Sequence, residues 1–315
     1  MRYNDAMYRH IVQSTAWEEF KKSYGTDAVR VGNLFYTKHR IPYTKLFYAY
    51  CPRVLPEDID FEALRKSLQQ NSCIAINFDV PNIVVGSPEE VAATKTFSDN
   101  CKKAVRSEFA RANILVDLGR SEQELLASMH KKHKYNISYA QKNGVTVTRA
   151  QTEEDFNVFY ELYSQTAKRQ KYFGRSKEYL YLVWKTLAPK GMCYILNASY
   201  ESTPLASWML FVHDHVLYYP YGGSSLEHKN LFASCLVGWE AIKLGKELNC
   251  DVFDMWGAAM DPNDSGDSYY GFTNFKLKFG GRHVTYIDSY DLVINSGAYY
   301  LFNLINLIRW KLLRH

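Results

Sequence analysis

The chain has 315 residues, 47% hydrophobic, 15% aromatic and 23% charged. That balance supplies a core and excludes an intrinsically disordered chain, and the length suits two domains or one large one. A surplus of 38 basic over 33 acidic residues leaves a net charge of +5, only weak support for an anionic partner.

In chain order, Thr15-x-x-Glu18 forms a capping box that opens a short helix, which Gly25 ends. Residues 74–78 are apolar and β-branched and predict a strand. Ser87-Pro88-x-Glu90 opens a helix to about Val105, and a strand over 112–117 follows. Ser121-x-x-Glu124 opens one helix with Leu126, Met129, His133, Ile137 and Ala140 on its buried line, stopped by Asn143-Gly144. Thr152 begins another, with Phe156, Phe159, Tyr160, Tyr163 and Ala167 inward. Strands are expected over 194–200, 206–212 and 216–221. His213-Asp214-His215 between the last two suits a hairpin turn better than a metal site. Residues 296–315 form an amphipathic helix with a basic end. Helices alternating with hairpins predict mixed α/β layers. A boundary is expected near Arg111, and residues 296–315 form a separate last segment.

Cysteines 51, 73, 101, 193, 235 and 250 form no Cys-x-x-Cys pair, and no zinc pattern or other metal site is expected. Reduced thiols in a cytoplasmic protein are the natural reading. The N-terminal MRYNDAMYRHIVQ lacks a signal-peptide core. The longest apolar stretch, 298–310, is broken by Asn303, Asn306 and Arg309, short of the roughly 18 residues that span a bilayer.

The most informative segment is 218–281. A strand ends in Tyr221-Gly-Gly-Ser224, a helix follows, and a second strand ends in Trp256-Gly-Ala258. A Gly/Asp/Ser loop then leads to Tyr270-Gly-x-x-x-Phe275-Lys276-x-x-Phe279-Gly280. Upstream stand Val12-Gln13-Ser14-x-x-Trp17-x-x-Phe20-Lys21 and, after Val116-Asp117-Leu118, the stretch LLASMHKKHKYNISYAQKNGV. Together these resemble the Fem family of peptidoglycan aminoacyltransferases, which move an amino acid from aminoacyl-tRNA onto the peptide of a cell-wall precursor. The resemblance spans most of the chain and thins between about Gly25 and Arg106.

The resemblance implies two GNAT-like (acetyltransferase-type) domains of mixed sheets flanked by helices, the last helix returning to domain one. It implies aminoacyl-tRNA as co-substrate without a further cofactor. The acceptor it implies is a UDP-linked or lipid-linked muramyl-peptide precursor. By the same likeness Lys21 and Arg175 fall on diphosphate-contacting positions, and Tyr179 and Tyr221 on tyrosines of the precursor site. Lys276, after Phe275, matches the lysine of the reaction centre, and Asp79 a site carboxylate. The sequence departs from the family at Cys51-Pro52-Arg53-Val54, where a Gly-Pro element is usual. Lys134 replaces an arginine and loses its bidentate fork, and no coiled-coil arm interrupts domain two.

The implied chemistry is attack of an amine on an activated ester. Alignment of two large anionic substrates supplies part of the acceleration, and one cation at the oxyanion contributes about 3 kcal/mol. Lys276 is the candidate cation. Lys131, Lys132 and Lys134 could attract tRNA phosphates, or form a solvated helix face with His133 partly buried. No Ser/His/Asp or Cys/His grouping stands out, so no covalent intermediate is expected.

An acyl-CoA-dependent N-acyltransferase is the nearest rival, but residues 224–234 lack the glycines of a pyrophosphate loop. A non-catalytic tRNA-binding protein is a second. A membrane-surface protein anchored by 301–310 is a third, against the expectation that this helix docks on domain one with at most peripheral membrane contact.

Overall fold

Helix α1 (Thr15–Ser23) takes its cap from Ser14, one residue before the expected Thr15: the Ser14 hydroxyl accepts from the Trp17 N–H at 3.1 Å. Gly25, at φ +81°, ends it as expected. The computed structural model describes residues 8–313, apart from the side chains of 309–313. Its described residues fall into two units, 8–111 with 286–313, and 112–285.

In the first unit follow β1 (Ala28–Val31), β2 (Leu34–Arg40), β3 (Phe47–Pro52), α2 (Phe61–Gln70), β4 (Cys73–Asp79), α3 (Glu90–Asn100) and β5 (Lys102–Lys103). Ser87 does not cap α3; the Glu90 carboxylate instead accepts from the Gly86 N–H at 2.6 Å. The helix also stops at Asn100 rather than near Val105, because Cys101 is extended and Lys102–Lys103 pairs into a sheet.

In the second unit the elements are β6 (Ala112–Asp117), α4 (Glu122–Ser128), α5 (Lys131–Lys142), β7 (Thr146–Arg149), α6 (Glu153–Gln170), α7 (Lys177–Leu187), β8 (Cys193–Tyr200), β9 (Thr203–His213), β10 (Val216–Ser224), α8 (Ala233–Glu247), β11 (Val252–Gly257), α9 (Tyr270–Leu277) and β12 (Arg282–Thr285). The Ser121/Glu124 capping box is present. The single helix expected after it is two, because Met129 is extended and His130 caps a new start. The buried line survives the break: Met129, His133, Ile137 and Ala140 are all buried. Asp214 and His215 turn the β9–β10 hairpin with φ of 47° and 60°, the left-handed pair that matches strand twist.

The chain re-enters the first unit at Tyr286, ten residues before the expected Ser296. There β13 (Tyr290–Val293) pairs with both β4 and β5, and α10 (Ser296–Leu313) follows. The first sheet runs β1-β2-β3-β4-β13-β5 and the second β12-β6-β11-β10-β9-β8-β7. Each mixes antiparallel pairs with one parallel pair, β3–β4 and β10–β11. The fold is mixed α/β: two mixed sheets flanked by helices. All six cysteines are thiols, five of them buried.

Candidate active site

The parallel strands β10 and β11 stay in register only through Tyr218–Asp254. Beyond that level both lose step with their outer neighbours, between Tyr218 and Tyr221 and between Asp254 and Gly257. Trp256 takes a φ of 62° there, as bulged strands do where they re-aim groups. The bulge is held by Asp254, whose carboxylate accepts from the Trp256 N–H at 2.7 Å and from Asn113 Nδ2 at 2.8 Å.

Lys276 reaches this bulge from α9. It is 8% exposed, and its Nζ donates to the Gly257 carbonyl at 2.6 Å and approaches the Trp256 carbonyl at 3.5 Å. The Thr273 hydroxyl accepts from the Ala259 N–H at 2.8 Å, tying α9 to the strand end. Burial pushes the Lys276 ammonium down to about 8, with Asp254 opposing. The Tyr219 ring lies 6.0 Å from Nζ and stacks on Trp208. Phe275 is partly buried and packs against His133, Trp208 and Phe279.

The structure brings Arg175, Tyr179 and Tyr221 together. The Arg175 guanidinium lies 4.9 Å from the Tyr179 ring centre and interacts electrostatically with the Tyr221 hydroxyl. Burial raises the Tyr221 hydroxyl's pKa and Arg175 offsets part of that rise. Tyr163 organises the group: its hydroxyl accepts from the Arg175 N–H at 2.8 Å and its ring meets Tyr221 edge-on. A cleft of about 400 Å³ opens beside them, lined by Tyr160, Lys168, Lys171, Tyr172 and Arg175 among others. The Tyr172 ring lies edge-on to Tyr163, 6.3 Å between centres.

Lys21 and Asp79 belong to the other unit. Lys21 Nζ lies 5.5 Å from the Phe20 ring centre and bears on His39, whose pKa is lowered by burial first and by Lys21 second. Asp79 is fully buried and saturated with protein donors. It accepts from the Tyr50 hydroxyl at 2.6 Å, the Ser289 hydroxyl at 2.9 Å and the Phe109 and Glu108 N–H groups. Asp79→Asn, which turns one acceptor into a donor facing donors, should therefore cost about 2 kcal/mol. Urea denaturation checks this, and an unchanged midpoint would contradict it.

Lys131 and Lys132 are exposed on the first turn of α5. Lys134 instead donates to the Ala127 carbonyl at 3.2 Å and closes the end of α4.

Sequence reasoning missed Asp254 and the placing role of Tyr163. An acid inside the otherwise apolar VFDMWG was a legible signal, since a buried carboxylate demands donors. It also missed a Cys/His grouping: Cys235 Sγ lies 4.0 Å from His133 Nδ1 and accepts from Asn136 Nδ2 at 3.6 Å. Burial raises the Cys235 thiol's pKa and holds His133 down to about 4. A neutral thiol beside a neutral imidazole is a poor nucleophile.

A family model described as an acetyltransferase (GNAT) domain matches residues 127–270. A lipid II:glycine glycyltransferase of Staphylococcus haemolyticus is 19% identical, with 92% of this chain and 90% of that protein covered. The crystal structure of FemX overlays with a TM-score of 0.82 at 17% identity, covering 93% of this chain and 94% of that one. At low identity the chain resembles the Fem transferases. Its two units form the tandem GNAT-like fold seen in FemX. A lipid II:glycine glycyltransferase of Staphylococcus epidermidis is also 19% identical. The match takes in 61% of this chain, which spans 60% of that relative's length.

Proposed function

We propose that this Fem-type chain moves an amino acid from aminoacyl-tRNA to the stem-peptide amine of a muramyl-peptide peptidoglycan precursor. The observation that carries the reading is the buried Lys276 amine at the point where two parallel strands part. The precursor's amine nitrogen bonds to the ester carbonyl carbon, and the carbonyl electrons move onto oxygen. The Lys276 ammonium stabilises that oxyanion in a water-poor setting, where a preorganised cation acts most strongly. Collapse breaks the ester bond, and the amine's proton ends on the departing ribose oxygen. Phe275 holds the lysine's backbone against the core.

Arg175, Tyr179 and Tyr221 bind the precursor, the guanidinium meeting its diphosphate. Lys21 supplies a second phosphate contact, and Lys131 and Lys132 attract tRNA. Arg175→Ala and Lys21→Ala should each weaken precursor binding by about tenfold, more at low salt than at high salt. Titration calorimetry at two salt concentrations checks it; unaltered affinity in both variants removes the diphosphate assignment.

The whole reading is tested by incubating the protein with labelled aminoacyl-tRNAs and either UDP-linked or lipid-linked precursor. Labelled peptide is the expected product. Its absence with every tRNA charge, alongside turnover of acetyl-CoA, would replace this reading by an acyl-CoA-dependent transferase, to which the GNAT match also lends support.

A further inference from the structure

Helix α10 uses only part of its surface to hold the first unit. Ala298, Tyr299 and Phe302 seat it against Ile74, Ala75 and Tyr48, with Phe302 stacked on Tyr48 at 4.9 Å. Leu301, Leu304, Ile305, Leu307 and Ile308 are each more than half exposed. Four of them recur at the three- and four-residue steps of one helical stripe. A contiguous exposed apolar stripe marks an interaction surface.

Charge selects the occupant. After Asp291 the sequence has no acidic residue, while Arg309, Lys311 and Arg314 flank Trp310 near its end. At the other end of the stripe Lys102 bonds the Tyr300 hydroxyl and lies over its ring. Aromatic rings and cations bordering an apolar strip are the composition of helices that lie in a membrane interface. None of the described helices is long and apolar enough to cross a membrane. A second copy would bring the same cations and no acid from this helix in either orientation, so self-pairing sets like charges together.

We propose that α10 is an interfacial helix that lays Leu301, Leu304, Ile305 and Ile308 into an anionic bilayer surface, its flanking cations meeting lipid phosphates. This surface lies outside the residues assigned to transfer, and its test uses neither tRNA nor precursor.

The full chain is sedimented with vesicles of phosphatidylglycerol and phosphatidylethanolamine, and in parallel with phosphatidylcholine vesicles. Partition should be at least about tenfold stronger onto the anionic vesicles, and should weaken as salt is raised. The double variant Leu304→Glu, Ile308→Glu should lose at least about tenfold in partition, with circular dichroism and thermal midpoint unchanged because both positions are exposed. No pelleting with anionic vesicles overturns the proposal, as does a double variant that binds like the parent. A dimer in sedimentation velocity that these substitutions split also overturns it, since the occupant is then a second copy.

Discussion

Lys276→Met is expected to lower amino-acid transfer at least tenfold and toward about 100-fold, the effect of losing one oxyanion-stabilising group, with little change in precursor affinity. The pH profile tests the role independently. Burial sets the Lys276 pKa at about 8. A required ammonium makes the rate of the chemical step fall as pH rises through that value. A general-base role reverses the sign, and a rate that climbs to a plateau above it would reassign Lys276. Stability should move the other way from activity. The unfolded chain keeps this proton to an ordinary 10.5, the folded chain only to about 8. Between those values the unfolded state binds more protons, so this group's contribution to stability rises with pH across the window. At neutral pH the buried ammonium costs about 3 kcal/mol. Methionine removes that cost and leaves the Gly257 carbonyl unbonded, a loss of about 1–3 kcal/mol. The thermal midpoint of the variant should therefore be no lower than the parent's, which separates lost chemistry from lost folding.

Gly223→Ala should destabilise the protein by about 3 kcal/mol, near the upper end for overpacking. A Cβ on Gly223 would lie 2.2 Å from the Leu162 carbonyl carbon and 2.4 Å from the Tyr163 nitrogen. Both are backbone atoms of α6, which no rotamer change can move aside. Relief requires sliding α6 off β10, and α6 carries the Tyr163 hydroxyl that holds Arg175 while β10 carries Tyr221. Precursor affinity should drop along with stability. The control is Gly271→Ala, where nothing lies within 4 Å of the added carbon. Equal urea midpoints for the two variants would contradict the close-approach argument.

The glycine pair after Tyr221 was visible in the sequence, but its reason was not, because the clashing backbone is some sixty residues away. The same distinction runs through the fold. Local signals placed the Ser121 cap, the 112–117 strand and the β9–β10 turn, since each is satisfied by neighbours in sequence. What escaped was decided by distant partners. Lys102–Lys103 leaves the helical pattern to pair with β13. Met129 breaks a periodic helix while keeping its side chain in the core. The convergence of Arg175, Tyr179 and Tyr221 was expected only through the family resemblance, and Tyr163, which organises it, looked like one more inward-facing aromatic. Asp79 matched a site position, yet in the structure its oxygens are taken up by joining β4 to the segments around Glu108 and Ser289.

The position of β13 bears on biosynthesis. It occupies an interior place between β4 and β5, although it is made after every residue of the other unit. While the ribosome is still translating the last segment, the sheet built from the opening third of the chain lacks its fifth strand, and β5 has no strand to pair with. The intervening unit, 112–285, has by then all its own strands. Order of emergence and order of completion are thus reversed, and a nascent chain released before Val293 would have the later unit complete and the earlier one unfinished.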